Sequence, residues 1–237
     1  MSGICADRAG KARLARLISR MTGQDRGARE SALAELELAT LLIRAGFRVA
    51  LLPESQARTA DLECVLEDGR MFVEVTALVG STRRLGRIVK REESGLDSHT
   101  RQREPHVLAS RLLARVHQKA RQLDHYADPV VLAATVPHRD PSDTSRDHPF
   151  DQELDLKTLA GTLTLTLGKL RHLSAVLLSL WEVEPMPFQS GVRLANVHIV
   201  ERSRQRAAYP RVRLLVLNPM AEHPLRADQV ERLRATL

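Results

Sequence analysis

The chain has 237 residues, 43% of them hydrophobic, enough to bury a real core in one large domain. Its 36 Lys and Arg against 29 Asp and Glu leave a formal charge of +7, which favours an anionic partner such as nucleic acid. Two cysteines, Cys5 and Cys64, are too few for a disulfide framework or a zinc site, and the longest apolar runs fall short of the ~20 residues a membrane span needs. A soluble, cytoplasmic protein without membrane contact is the expectation.

Residues 1–26 read as a basic helical extension. Leu14, Leu17, Ile18 and Met21 recur at helical spacing and suit a docking helix better than an Arg-rich targeting peptide. Residues 27–237 read as a single domain. In SALAELELATLLIRAGF the apolar residues Leu33, Leu36, Leu38, Leu41, Leu42 and Ile43 suit a well-buried helix, which Gly46 is placed to stop. FRVALL is a strand ended by Pro53, and residues 59–78 supply two more strands around a turn at Asp68-Gly69. Residues 80–104 are polar and basic. Pro105 opens a helix through VLASRLLARVHQKARQLDHYA, and the strand PVVLAATV follows. The Pro-, Asp- and His-rich stretch from 137 is an expected exposed loop. Leu154–Leu173 is ambiguous between helix and strands, because its Leu and Thr partly alternate. Strands at LSAVLLSLWEV, VRLANVHIV and VRLLVL and a short helix after Pro224 complete the pattern. This order predicts an α/β fold around a mixed sheet.

The segment TADLECVLEDGRMFVEVTAL carries acids inside its strands. With Asp68-Gly69 as a two-residue turn, Asp61 faces Thr76, Glu63 faces Glu74 and Val65 faces Phe72. Side chains alternate along a strand, so Asp61, Glu63, Glu74 and Thr76 share one face. Like charges directly opposed destabilise a strand pair, and a hard divalent cation such as Mg²⁺, held by one or two carboxylates plus water, resolves the repulsion. A solvated acidic face is the other reading. Phe72 and Leu78 share the acidic face, however, while Leu62, Cys64, Leu66, Val73, Val75 and Ala77 make the opposite face apolar. A sheet covered on both sides favours a site.

Glu35 in a helix ending in AGF, the strand after it, D-L-E at 61–63 and F-V-E-V-T at 72–76 together resemble the PD-(D/E)XK nuclease superfamily over roughly residues 30–136. The resemblance implies a restriction-endonuclease-like core, a mixed central sheet flanked by helices, here with extra C-terminal strands. It implies a Mg²⁺-dependent endonuclease, with Mn²⁺ as an alternative ion, that hydrolyses DNA in a bacterial defence or mobile-element context. Double-strand cutters of this kind often work as homodimers. By the same resemblance, Asp61, Glu74 and the backbone carbonyl of Val75 hold the metal, and Glu35, with Glu63, orients water or a second ion.

Thr76 departs from the pattern, because it stands where the family carries lysine. Its hydroxyl can hold a water but supplies no positive charge. KARQL at 119–123 resembles the Lys- and Gln-bearing helix that often follows the core hairpin, so Lys119, with Gln122 three residues on, is the candidate for a migrated lysine. A solvated helix lysine is the alternative. Arg83, Arg84, Arg87, Lys90 and Arg91 are candidates for phosphate contacts, although Glu92, Glu93 and Asp97 nearby also fit a solvated charged loop. Thr76 keeps open a second function, a nuclease-fold module that binds nucleic acid or protein without cutting. His117 and His125 lack further ligands at zinc spacing, no nucleophilic triad or Gly-rich phosphate loop is visible, and Cys64 is expected to be buried and inert.

Overall fold

A computed structural model of the chain describes residues 8–53, 59–78, 106–136, 153–181, 183–185, 194–202 and 209–237. The first two helices are α1 (Arg8–Thr22) and α2 (Arg26–Arg44). Asp25 caps α2, its carboxylate accepting from the N–H groups of Gly27 at 2.8 Å and Ala28 at 3.3 Å. At the other end Gly46 takes φ 97° and donates its N–H to the Ile43 carbonyl, which turns the chain into β1 (Arg48–Leu51). The stop signal read from the sequence is therefore the one the fold uses.

The hairpin β2 (Leu62–Leu66) and β3 (Gly69–Ala77) follows, then α3 (His106–Ala120), β4 (Val130–Val136) and β5 (Glu153–Leu154). After these come α4 (Leu156–Lys169), β6 (Ala175–Leu180), β7 (Glu184–Pro185), β8 (Val197–Glu201), β9 (Val212–Leu217) and α5 (Ala227–Arg234). One seven-stranded sheet runs in the order β1-β2-β3-β4-β6-β9-β8, and β5 pairs with β7 apart from it. The β3-β4-β6 centre is parallel, while β1-β2-β3 and β6-β9-β8 are antiparallel. The expected mixed α/β sheet is present. Among the described residues no helix is long and apolar enough to cross a membrane.

Helices cover both faces of the sheet. On one face α1, α2 and Leu233 of α5 pack over Leu62, Cys64, Met71, Val73, Val131, Ala133 and Leu177. On the other, Leu112 and Val116 of α3 and Leu159 and Leu163 of α4 pack over Leu132, Val176 and Leu214. The ambiguous stretch is helical because Leu156, Leu159, Ala160, Leu163 and Leu167 form a buried stripe at 3.6-residue spacing. Asp155 caps its start through the N–H groups of Lys157 and Thr158, and the Asn218 amide donates to the carbonyls of Leu167, Leu170 and Leu173 at its end.

Two local expectations change. The hairpin turns at Glu67-Asp68, with Leu66 opposite Gly69 and Glu67 at φ 51°. Gly69 lies in the strand and not in the turn, with the end of the flexible Arg226 side chain beside it. The buried face of α1 is also rotated from its expected apolar stripe. Gly10, Arg13 and Leu17 point inward, while Ile18 is 51% and Met21 36% exposed.

Leu62 is fully buried beneath α2, whereas Leu165 on α4 is 75% exposed. Leu62→Ala is expected to destabilise the fold by about 2–5 kcal/mol in urea denaturation. Leu165→Ala is expected to stay within about 0.5 kcal/mol of the parent.

Candidate active site

The corrected turn shifts every cross-strand pair by two residues. Glu63 faces Phe72 and Val65 faces Arg70, so the expected Glu63–Glu74 and Val65–Phe72 pairs do not form. A two-residue shift keeps every side chain on its original face. Asp61, just before β2, donates its N–H to the Val73 carbonyl at 3.0 Å and thereby sits beside Glu74, not opposite Thr76. Tyr126 holds the approach to this point. Its hydroxyl accepts from the Ala60 N–H at 2.8 Å, and its ring packs 4.3 Å from that of Phe72.

The Asp61 side chain turns back over β3, its Oδ2 accepting the Val75 N–H at 2.8 Å. The charge of Asp61 beside it helps keep the proton on Glu74. Lys119, in the last turn of α3, donates its ammonium to Glu74 Oε1. Glu74 and Thr76 are 4% and 6% exposed on this same face. Lys119 thus reaches the acid from the covering helix, where Thr76 on the strand brings no cation.

Glu35 approaches from the opposite layer, on α2, and is 5% exposed. It reaches Asp61 through a residue that the motif pattern did not reveal. Arg13 of α1, 3% exposed, directs one nitrogen, Nη2, to Glu35 Oε1 at 3.0 Å, Glu35 Oε2 at 2.8 Å and Asp61 Oδ1 at 3.3 Å. The resulting chain of charges runs Glu35, Arg13, Asp61, Glu74, Lys119, with Arg13 bridging the first two acids and Lys119 paired with the third. The available sequence signal was the spacing of Gly10, Arg13 and Leu17, which puts a charged residue on the buried stripe of a helix.

Other expected residues lie apart. Glu63 is part of a more open group, 3.7 Å from Arg70, whose Nη2 also contacts Asp128 at 2.6 Å. Gln122 falls in the turn beyond α3, its N–H on the Lys119 carbonyl at 2.9 Å, and therefore does not share a helical face with Lys119. Arg83, Arg84, Arg87, Lys90 and Arg91 lie outside the described residues. Cys64 is buried, and burial pushes its thiol pKa up, so it is a core residue.

Burial sets the electrostatics. It raises the Glu74 carboxyl to about 7, helped by the charge of Asp61 and opposed by Lys119. Burial likewise raises Glu35 to about 7, with Asp61 adding to the shift and Arg13 opposing it. Asp61 is also raised, again by burial, against the Val75 hydrogen bond and the charges of Arg13 and Lys119. Among the described residues no group of three or more His, Cys, Asp or Glu is arranged to hold a metal ion. The donor chemistry of the adjacent pair still fits a hard cation. Asp61 and Glu74 present oxygen ligands whose ionisation burial opposes, and a divalent ion with water completing its shell would favour the charged forms.

No family model matches the chain, and no curated protein or solved structure matches it significantly.

The raised carboxyl groups make stability depend on pH. The native state holds protons on Glu35 and Glu74 between the ordinary value of 4.5 and about 7, where the unfolded chain has released them. Their contribution is fully present below pH 4.5 and is lost as pH rises through about 7. The urea midpoint should therefore fall between pH 5 and pH 8, by an amount on the order of a few kcal/mol in stability. Glu35→Gln should reduce that fall, and an unchanged slope in this variant would contradict the assignment.

Proposed function

We propose that the chain is a Mg²⁺-dependent phosphodiesterase acting on DNA, with a restriction-endonuclease-like core. The observation that carries this reading is the meeting of Asp61, Glu74 and Lys119 at one place on the sheet, with the lysine arriving from α3. The element order around it also agrees, since α2, β1, β2, β3, α3 and β4 give one helix, three strands, a helix and a strand.

In this reading Asp61 and Glu74 hold the ion, and the carbonyl of Val75 is a further candidate ligand. When bound, the ion lowers the pKa of a coordinated water and offsets charge growing on the phosphate. The protein groups supply orientation and proton traffic. The Val75 N–H fixes one Asp61 oxygen, which limits the directions in which the other can bind. Lys119 brings a positive charge beside Glu74, where it can neutralise a phosphate oxygen. Thr76 on the same face offers a hydroxyl to orient water. Glu35, with a pKa near 7, can accept a proton at neutral pH.

One observation favours the second reading, a module that binds nucleic acid or protein without cutting. The acids are already paired with Arg13 and Lys119, so the cluster has counter-charges of its own.

Plasmid incubated with Mg²⁺ or Mn²⁺ separates the two. Cleavage by the parent chain, with losses of about 100-fold or more in Asp61→Ala, Glu74→Ala and Lys119→Met, is the expected outcome. At subsaturating Mg²⁺ the rate should rise with pH, because burial raises the Glu74 carboxyl and a proton there competes with the ion. Binding of the plasmid with no cleavage under either metal would support the module instead.

A further inference from the structure

We infer that α1 gates this centre: Arg13 is an internal counter-ion that must leave Asp61 before a divalent cation can take the carboxylate. The inference rests on the metal-dependent reading above and concerns its regulation.

The geometry of Asp61 is the starting point. Its Oδ2 is engaged by the Val75 N–H at 2.8 Å and its Oδ1 by Arg13 at 3.3 Å. The same Arg13 nitrogen spans both oxygens of Glu35, at 3.0 and 2.8 Å. A divalent ion seated on Asp61 beside this guanidinium would face a like charge across a buried site, where repulsion is poorly screened. The two cations are therefore alternatives. With Glu35, Asp61 and Glu74 all ionised, Arg13 and Lys119 leave the group one negative charge in excess. Exchange of Arg13 for a divalent ion balances it, so the exchange is electrostatically favoured once the ion is available.

The helix that carries Arg13 is suited to such an exchange. Residues 23–25 separate α1 from α2, and α1 packs on α2 and β1 at one side of the sheet without contributing a strand. Its buried residues are Gly10, Arg13 and Leu17, with Leu14 half-buried beside them, so two leucines and the Arg13 ion pairs attach it to the rest of the fold. Arg8, Lys11 and Arg16 are exposed on its outer side, and a nucleic acid backbone drawn to them would pull in the releasing direction.

The test uses the full chain and Mn²⁺ alone, read by calorimetry and by amide hydrogen exchange. Arg13→Gln, which keeps hydrogen-bonding capacity without charge, should bind Mn²⁺ about tenfold tighter than the parent, and Asp61→Asn should abolish binding in both backgrounds. In the parent, saturating Mn²⁺ should speed exchange across residues 8–22. Equal affinity in the parent and Arg13→Gln would overturn the gate while leaving the metal site intact. Absence of Mn²⁺ binding in both would overturn the gate together with the metal-dependent reading. Should Arg13→Gln fail to fold, exchange in the parent decides alone: unchanged or slower exchange across 8–22 with Mn²⁺ overturns the inference.

Discussion

Desolvation of three carboxyl groups is the constraint around which this fold is arranged. Glu35, Asp61 and Glu74 come from two layers of the structure and meet where water is largely excluded, and each has its proton affinity raised mainly by burial. When ionised, such a cluster needs counter-charges, since breaking a buried ion pair costs about 3–5 kcal/mol. The cations come from helices on opposite faces, Arg13 from α1 and Lys119 from α3. The charge chain therefore couples both helical layers to the hairpin between them. Replacing a buried ion-pair cluster with well-packed apolar side chains is often neutral or stabilising, so the cluster is not itself an argument for stability.

Much of this was legible in the sequence wherever local rules decide. Period-two alternation placed Asp61, Glu63, Glu74 and Thr76 on one face, and a register error of two residues left that conclusion intact because two is the period. Asp-Gly is the usual signal for a left-handed turn, whereas here Glu67 takes the positive φ and Gly69 falls in the strand opposite Leu66. Alternating Leu and Thr obscure helix α4 in the sequence; its buried leucine stripe decides the matter, and the Asp155 cap and the Asn218 side chain, bonded to Leu167 51 residues away, close its ends.

The site shows the same division. Lys119 was a candidate because of its company in KARQL, and the structure places it on Glu74. Gln122 was grouped with it by helical spacing, but the helix ends at Ala120 and the two part. Leu14, Leu17, Ile18 and Met21 of α1 point to a different inward face from the one that buries Arg13. A buried arginine becomes intelligible only when the acids it meets, on α2 and ahead of β2, are brought together by the tertiary fold.

Gly69 and its neighbour Arg226 carry a consequence for how the molecule is made. Gln229 Nε2 also reaches the Arg70 carbonyl at 3.4 Å, a contact across 159 residues of chain, so the hairpin bearing Asp61 and Glu74 is clasped by a late segment. On a ribosome the acids emerge long before their clasp does. Contacts of such sequence separation slow folding, because loop closure precedes any gain from them. Nascent chains halted before residue 226 would hold this hairpin without its final bracing.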